Sequence, residues 1–225
     1  MQHIGFIMDG NRRWAKKLGN LALAGHTQGG ENVEQILELC LTRAIPYVSM
    51  WALSKENIEK RSPLEIEGIF TLFRKRVPLL ILKLQKAGIR FEWIGNPASL
   101  PDDIREILEN ARRETESCKK MTFILAIAYS GQDEIVRGIQ KCLSLGIDPD
   151  SLDEQTFLTY IDSGKYPPPD VIVRTGGDIR HSGYFLYQSA YSEYFFTDTL
   201  WPDFSERDLD ETIMSFEGIK RNFGK

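Results

Sequence analysis

His3-Ile4-Gly5-Phe6-Ile7-Met8-Asp9-Gly10-Asn11-Arg12-Arg13-Trp14 is the stretch from which the rest of the chain can be read. The apolar run Ile4–Met8 reads as a buried strand. It ends in an acid, and Gly-Asn and two arginines follow where a helix should begin. In parallel α/β sheets, ligands gather just outside the carboxyl ends of the strands, which is where Asp9 falls. Gly10 lets the backbone approach a ligand, and N–H groups entering a helix point at an anion. Arg13 adds charge-assisted hydrogen bonds to phosphate oxygens. Asp-Gly alone is ordinary turn chemistry. An acid amid cationic donors makes most sense as a metal ligand, because magnesium binds through one or two carboxylates plus substrate phosphates.

Outward from this stretch, short apolar runs alternate with longer amphipathic ones. Further strands are expected at Tyr47–Leu53, Arg90–Ile94, Met121–Tyr129 and Asp170–Arg174, and helices at 28–44, 63–87, 101–118, 131–145, 153–163 and 205–222. That order predicts an α/β fold with a central, mostly parallel sheet of about six strands flanked by helices. The 225 residues suit a single domain over 1–225, with no repeat or interdomain linker. A net charge of −4 argues against nucleic acid as partner. Cys40, Cys118 and Cys142 lie far apart with no CxxC pairing, which fits reduced thiols in a cytoplasmic protein. No run approaches the roughly 20 apolar residues of a membrane span, and the N-terminus lacks the basic start of a signal peptide.

Within the 63–87 helix, Ile66, Ile69, Phe70, Phe73, Val77, Leu80 and Leu84 form a regular core-facing stripe. Leu72, Leu79, Ile81 and Leu82 widen it beyond one face, and Pro78 sits inside, favouring a kink. A long helix bent over a sheet accounts for the stripe alone. The widened face predicts a helix that also lines an apolar tunnel.

Asp170-Val171-Ile172-Val173-Arg174-Thr175-Gly176-Gly177-Asp178-Ile179-Arg180-His181-Ser182-Gly183 repeats the logic of the first stretch. An apolar strand ends at Arg174, a glycine pair permits an irregular loop, and Arg180 and Ser182 bring further donors. Arginine grips phosphate in a bidentate way that lysine does not.

With HIGFIMDGNRRWAK and RTGGD in this order, the chain resembles the cis-prenyltransferases, undecaprenyl diphosphate synthases in particular. The resemblance implies that Asp9 binds magnesium (Mg2+) and acts in catalysis. It implies that Gly10, Asn11, Arg12, Arg13 and Trp14 hold the allylic diphosphate with His26 of the Gly25-His26 pair. It gives Arg174, Arg180 and Ser182 to isopentenyl diphosphate, and makes Glu193, in Ser189-Ala190-Tyr191-Ser192-Glu193-Tyr194, a second metal and homoallylic-site residue near a dimer contact. Ser54, Glu56 and Asn57 match a mobile loop over the substrates, with Asn57 orienting the reacting groups or relaying a proton. Either Lys60 or Arg61 serves as that loop's arginine, with register favouring Arg61. Implied too are a homodimer, farnesyl diphosphate as primer, an undecaprenyl-type carrier lipid as product, and peripheral membrane association through that product.

The chain also departs from the family pattern. Ala22 stands where an arginine is usual, Ile58 replaces an aromatic, and Ile179 replaces a histidine. Asn222 occupies the arginine position before Phe223-Gly224. These departures leave a non-catalytic partner subunit as the alternative. Trans-prenyltransferases fit poorly: Asp102-Asp103-Ile104-Arg105-Glu106 is a single, imperfect version of their paired acidic motif, and no Walker-type or dinucleotide loop is present.

Overall fold

The computed structural model describes residues 1–219. Its sheet has six strands: β1 (His3–Ile7), β2 (Tyr47–Ser54), β3 (Ile89–Ile94), β4 (Met121–Tyr129), β5 (Val171–Arg174) and β6 (Glu193–Phe196). They lie in the order β3-β4-β2-β1-β5-β6, and every neighbouring pair is parallel. The helices are α1 (Asn11–Lys17), α2 (Ala22–Thr42), α3 (Lys55–Lys60), α4 (Pro63–Ala87), α5 (Asp102–Glu114), α6 (Gly131–Ser144), α7 (Glu154–Leu158) and α8 (Glu206–Glu217). The predicted tail Arg221-Asn222-Phe223-Gly224, and the end of the helix expected over 205–222, lie outside the described residues.

A parallel sheet covered on both faces needs strands that are apolar throughout, and all five residues of β1 are buried. Ile4, Phe6, Val48, Met50, Phe123 and Leu125 belong to the larger core, with Ile36 and Leu37 of α2 and Ile69 and Phe70 of α4. On the other face, Ile7, Ile124, Ala126 and Ile172 pack with Tyr184 and Phe185. His3 is fully buried on this side. Its Nδ1 lies 2.7 Å from the Pro167 carbonyl, so that nitrogen donates, and Nε2 accepts from the Ser49 hydroxyl at 2.9 Å. Burial lowers its pKa to about 4, so it stays neutral at neutral pH.

Several elements differ from the sequence reading. β6, whose residues are half-buried or exposed at the sheet edge, carries the aromatic run Glu-Tyr-Phe-Phe in place of a buried aliphatic run. The segment expected as a polar loop after β2 is helical over Lys55–Lys60, because Ser54 caps it by accepting from the Asn57 N–H at 3.0 Å. α2 starts at Ala22 in place of 28, so His26 stands inside the helix and not ahead of it. α4 matches its expected span and runs unbroken through Pro78, with Ser62 as N-cap and Gly88 ending it in a left-handed conformation at φ 77. Its widened stripe divides three ways: Ile81 joins the core, Leu72 lines a cavity, and Leu79 and Leu82 face solvent.

Candidate functional site

β1 delivers Asp9 to the carboxyl end of the sheet, and the backbone there is fixed from two sides. The Asp9 carbonyl accepts from the Trp201 N–H at 3.0 Å and from the Thr175 hydroxyl at 2.7 Å. Gly10, the N-cap of α1, has φ 111. A Cβ at that position would lie 2.8 Å from Leu200, so conformation and space both demand glycine.

The two stretches singled out in the sequence meet at this acid. One Asp9 oxygen accepts from Arg13 at 3.1 Å and the other from Arg174 at 2.9 Å. Arg13 also donates to the Gly176 carbonyl at 2.6 Å, and a Cβ on Gly176 would strike its guanidinium at 2.5 Å. Arg174, at the end of β5, donates through its other terminal nitrogen to the Arg180 carbonyl at 2.8 Å and to the Ser182 hydroxyl at 2.7 Å. Its buried Nε has no partner. Asp178 accepts from Arg180 at 2.8 Å and from Arg174 at 3.4 Å, and the Arg180 bond foremost holds its carboxyl below the ordinary value. Ser182 sits at φ 52, a costly conformation for a side-chain-bearing residue. Asp9, Arg13, Arg174, Arg180 and Ser182 therefore form one network, and Asp178 is its member that sequence reasoning left without a role.

A second cluster lies at the N-terminal ends of α1, α2 and α4. A single oxygen of Glu65 faces Arg61 at 3.1 Å, Arg12 at 3.7 Å and His26 at 3.7 Å. Only the Arg61 contact is a hydrogen bond; the His26 Nε2 is buried without one. Burial, then the Arg61 charge, lowers His26 to a pKa of about 4, leaving it neutral. The structure thus gives the place beside the site to Arg61, while Lys60 is exposed. Glu65 was missed in the sequence: Arg61 stands in extended backbone between α3 and α4, so no helical spacing joins the two.

The remaining candidates divide. Asn11 starts α1, and its buried Oδ1 has no partner. Burial raises the Glu56 carboxyl, but hydrogen bonds from Ser130, its own N–H and Ser54 outweigh this and leave it below the ordinary value. Asn57 ties its backbone to Ser54. Trp14 turns its indole N–H to Asp203 at 2.7 Å and does not line the cavity beside the site. Glu193 is not brought to Asp9 within one chain. It pairs with Val171, which pairs with Ile4. That register leaves it about 16 Å along the strands and two strand spacings of about 5 Å to the side.

Next to Asn11 and His26, an apolar cavity of about 120 Å³ opens between α2, α4 and the sheet. Val33, Ala52, Leu72, Phe73, Val77 and Leu80 are among its walls. This cavity lies on the face of α4 that was expected to line a tunnel. As for a metal, the described residues contain no group of three or more His, Cys, Asp or Glu side chains able to hold one. The donor set here is one half-buried carboxylate flanked by arginines. It fits a hard cation that takes most of its ligands from phosphate and water, not a preformed protein cage.

A family model described as "Putative undecaprenyl diphosphate synthase" matches residues 7–224. The chain is 38% identical over 228 residues to an isoprenyl transferase of Chlorobaculum tepidum, covering 100% of this chain and 86% of that protein. It is 36% identical over 230 residues to a geranylgeranyl-diphosphate-specific tritrans,polycis-undecaprenyl-diphosphate synthase of Thermococcus kodakarensis, covering 100% and 87%. The crystal structure of lavandulyl diphosphate synthase from Lavandula x intermedia, in complex with dimethylallyl diphosphate, matches with a TM-score of 0.94 at 33% identity, covering 100% of this chain and 98% of that one.

Proposed function

Since the chain belongs to the undecaprenyl diphosphate synthase family, the cis-prenyltransferases, we propose that it extends farnesyl diphosphate by successive isopentenyl diphosphate units into a long polyprenyl diphosphate. In each cycle the allylic C–O bond breaks, pyrophosphate leaves, and the isopentenyl double bond forms the new C–C bond. Loss of a proton then leaves a new cis double bond.

The observation that carries this reading is Asp9, shared between an arginine of α1 and an arginine of β5 beside an apolar cavity. Two diphosphates need two cationic cradles with their reacting carbons brought together between them. Arg12, Arg13 and the N–H groups opening α1, with His26 and Arg61, suit the allylic diphosphate. Arg174, Arg180 and Ser182 suit isopentenyl diphosphate. Asp9, with the substrate phosphates, would hold magnesium, which supplies the Lewis acidity that offsets charge on departing pyrophosphate. The arginines are already fixed by their contacts with Asp9 and the loop carbonyls, so little reorganisation is needed as charge grows on the phosphate oxygens. Asn57, next to the Ser54 cap, orients the reacting groups.

The growing chain enters the cavity between α2 and α4, which continues as an apolar tunnel in the working enzyme. The primer is the open choice among relatives, since the Thermococcus kodakarensis protein is named for geranylgeranyl diphosphate and the Lavandula enzyme holds dimethylallyl diphosphate. The long product suits a cell-wall carrier lipid made by a cytoplasmic homodimer, with Glu193 serving its metal role across the dimer contact. The relatives are named as enzymes, so the non-catalytic alternative is not carried forward.

Incubating the protein with farnesyl diphosphate, labelled isopentenyl diphosphate and magnesium, then sizing the extracted products, tests the reading. A polyprenyl ladder is expected; absence of any extension from farnesyl, geranylgeranyl and dimethylallyl primers alike refutes it.

A further inference from the structure

The corner where α1 turns into α2 carries chemistry that the condensation does not use. Between Asp9 and Glu31 the sequence holds Arg12, Arg13, Lys16 and Lys17 and no acid, in a chain whose net charge is −4. Lys16 and Lys17 are exposed in the last turn of α1. Beside them Leu18 is 58% exposed and Leu21 84%, and Leu64, in the first turn of α4, is 86% exposed.

These side chains share one end of the molecule. α2 and α4 run side by side in the same direction: a Cβ on Gly68 would touch Leu23, Arg76 donates to the Thr27 carbonyl, and Lys83 pairs with Glu34. Leu64 lies one turn before Gly68 on α4, and α2 begins at Ala22, one residue before Leu23, so Leu64 stands level with the link between α1 and α2 that holds Leu18 and Leu21. The Glu65 cluster, with Arg12 and His26, marks the same end, so the corner adjoins the polar mouth of the cavity.

Large leucines gathered in water are unfavourable unless something covers them. Lysines beside them select the cover: apolar side chains enter the headgroup–acyl boundary of a bilayer while the ammonium groups meet anionic headgroups. No helix among the described residues is long and apolar enough to cross a membrane, so such contact is peripheral. We propose that the corner formed by Lys16, Lys17, Leu18, Leu21 and Leu64 docks the protein reversibly on an anionic lipid surface, setting the cavity mouth beside the bilayer. The use of this docking rests on the prenyl diphosphate reading, whose product chain belongs in lipid, but the contact itself is measured without turnover.

The protein is sedimented with vesicles of phosphatidylglycerol and phosphatidylcholine, or of phosphatidylcholine alone. Binding to the anionic vesicles is expected, weakening as salt is raised. It should drop about tenfold or more in Leu21→Asp/Leu64→Glu and again in Lys16→Gln/Lys17→Gln. The first pair suits the fold, because position 21 is the N-cap of α2 and position 64 lies in the first turn of α4, where acids are favourable. Turnover of both variants in detergent, without a bilayer, should match the parent, which separates the corner from the active site. Equal binding by parent and variants, indifference to lipid charge, or a changed oligomeric state in the leucine variant with vesicle binding intact overturns the proposal. A parent that docks yet makes no polyprenyl product in detergent supports the docking and refutes the prenyl reading.

Discussion

Asp9 is held by two arginines that approach from different elements, and each carboxylate oxygen has one of them. Its charge is thus balanced before any substrate arrives. Asp9→Asn preserves size and removes the charge. Turnover is expected to fall about 100-fold or more, with melting unchanged; a circular dichroism melt beside the steady-state assay checks both, and near-normal turnover rejects the role. His3 supports a prediction about pH. Its folded pKa of about 4 lies below the ordinary 6.5, so the unfolded chain binds its proton first as pH falls. Stability should therefore drop between pH 6.5 and pH 4 by about 3 kcal/mol, with His26 acting in the same direction. Urea midpoints across that window should slope less in His3→Gln than in the parent. At this scale the sequence was informative where a residue type has few uses: Asp9-Gly10 and Arg174 were legible because an acid and an arginine stand at strand ends. Asp178 and Glu65 were not, because an acid near an arginine is everywhere a surface pair until coordinates show several cations converging on it.

The start of α2 shows why an element can be misread from its composition. Leu-Ala-Leu-Ala-Gly-His-Thr-Gln-Gly-Gly looks like a flexible lead-in, yet the glycines are there for contact. A Cβ on Gly25 would lie 1.9 Å from the Asn11 carbonyl oxygen, and one on Gly29 2.4 Å from the Asn11 side chain. α1 and α2 are pressed together at these points, and packing overrides the low helix propensity of glycine. α4 was legible end to end because Ser62, Pro63 and Gly88 mark its limits chemically. The face of α4 on the cavity offers the next prediction. Val77 is 6% exposed and lines the cavity, so Val77→Phe fills part of the space into which a chain would grow. Shorter products are expected at a stability cost of about 1–3 kcal/mol, read by chromatography of the extracted chains; an unchanged ladder from a folded variant removes the cavity from the chain's path.

For the whole molecule, the sheet and the cores on its two faces are built from protein groups, so the fold is expected to stand without a metal. Chelation should stop turnover while leaving the melting temperature where it was, a comparison that calorimetry with and without a chelator makes directly. A melt that collapses on chelation would mean a structural ion and a different origin for the Asp9 geometry. The all-parallel sheet was readable from apolar runs alternating with helices, whereas its order was not, since no strand sequence states its neighbours. That order has a consequence for how the protein is made. Of the six strands β1 is made first, yet it sits between β2 and β5, and Arg174 reaches Asp9 across a separation of 165 residues. Loop closure over such a distance is slow, and synthesis adds only about 5–20 residues per second. A nascent chain shorter than β5 therefore has one side of its first strand open for many seconds, with its future metal acid unpaired. Translation pauses and chaperones that act before residue 174 emerges will govern yield.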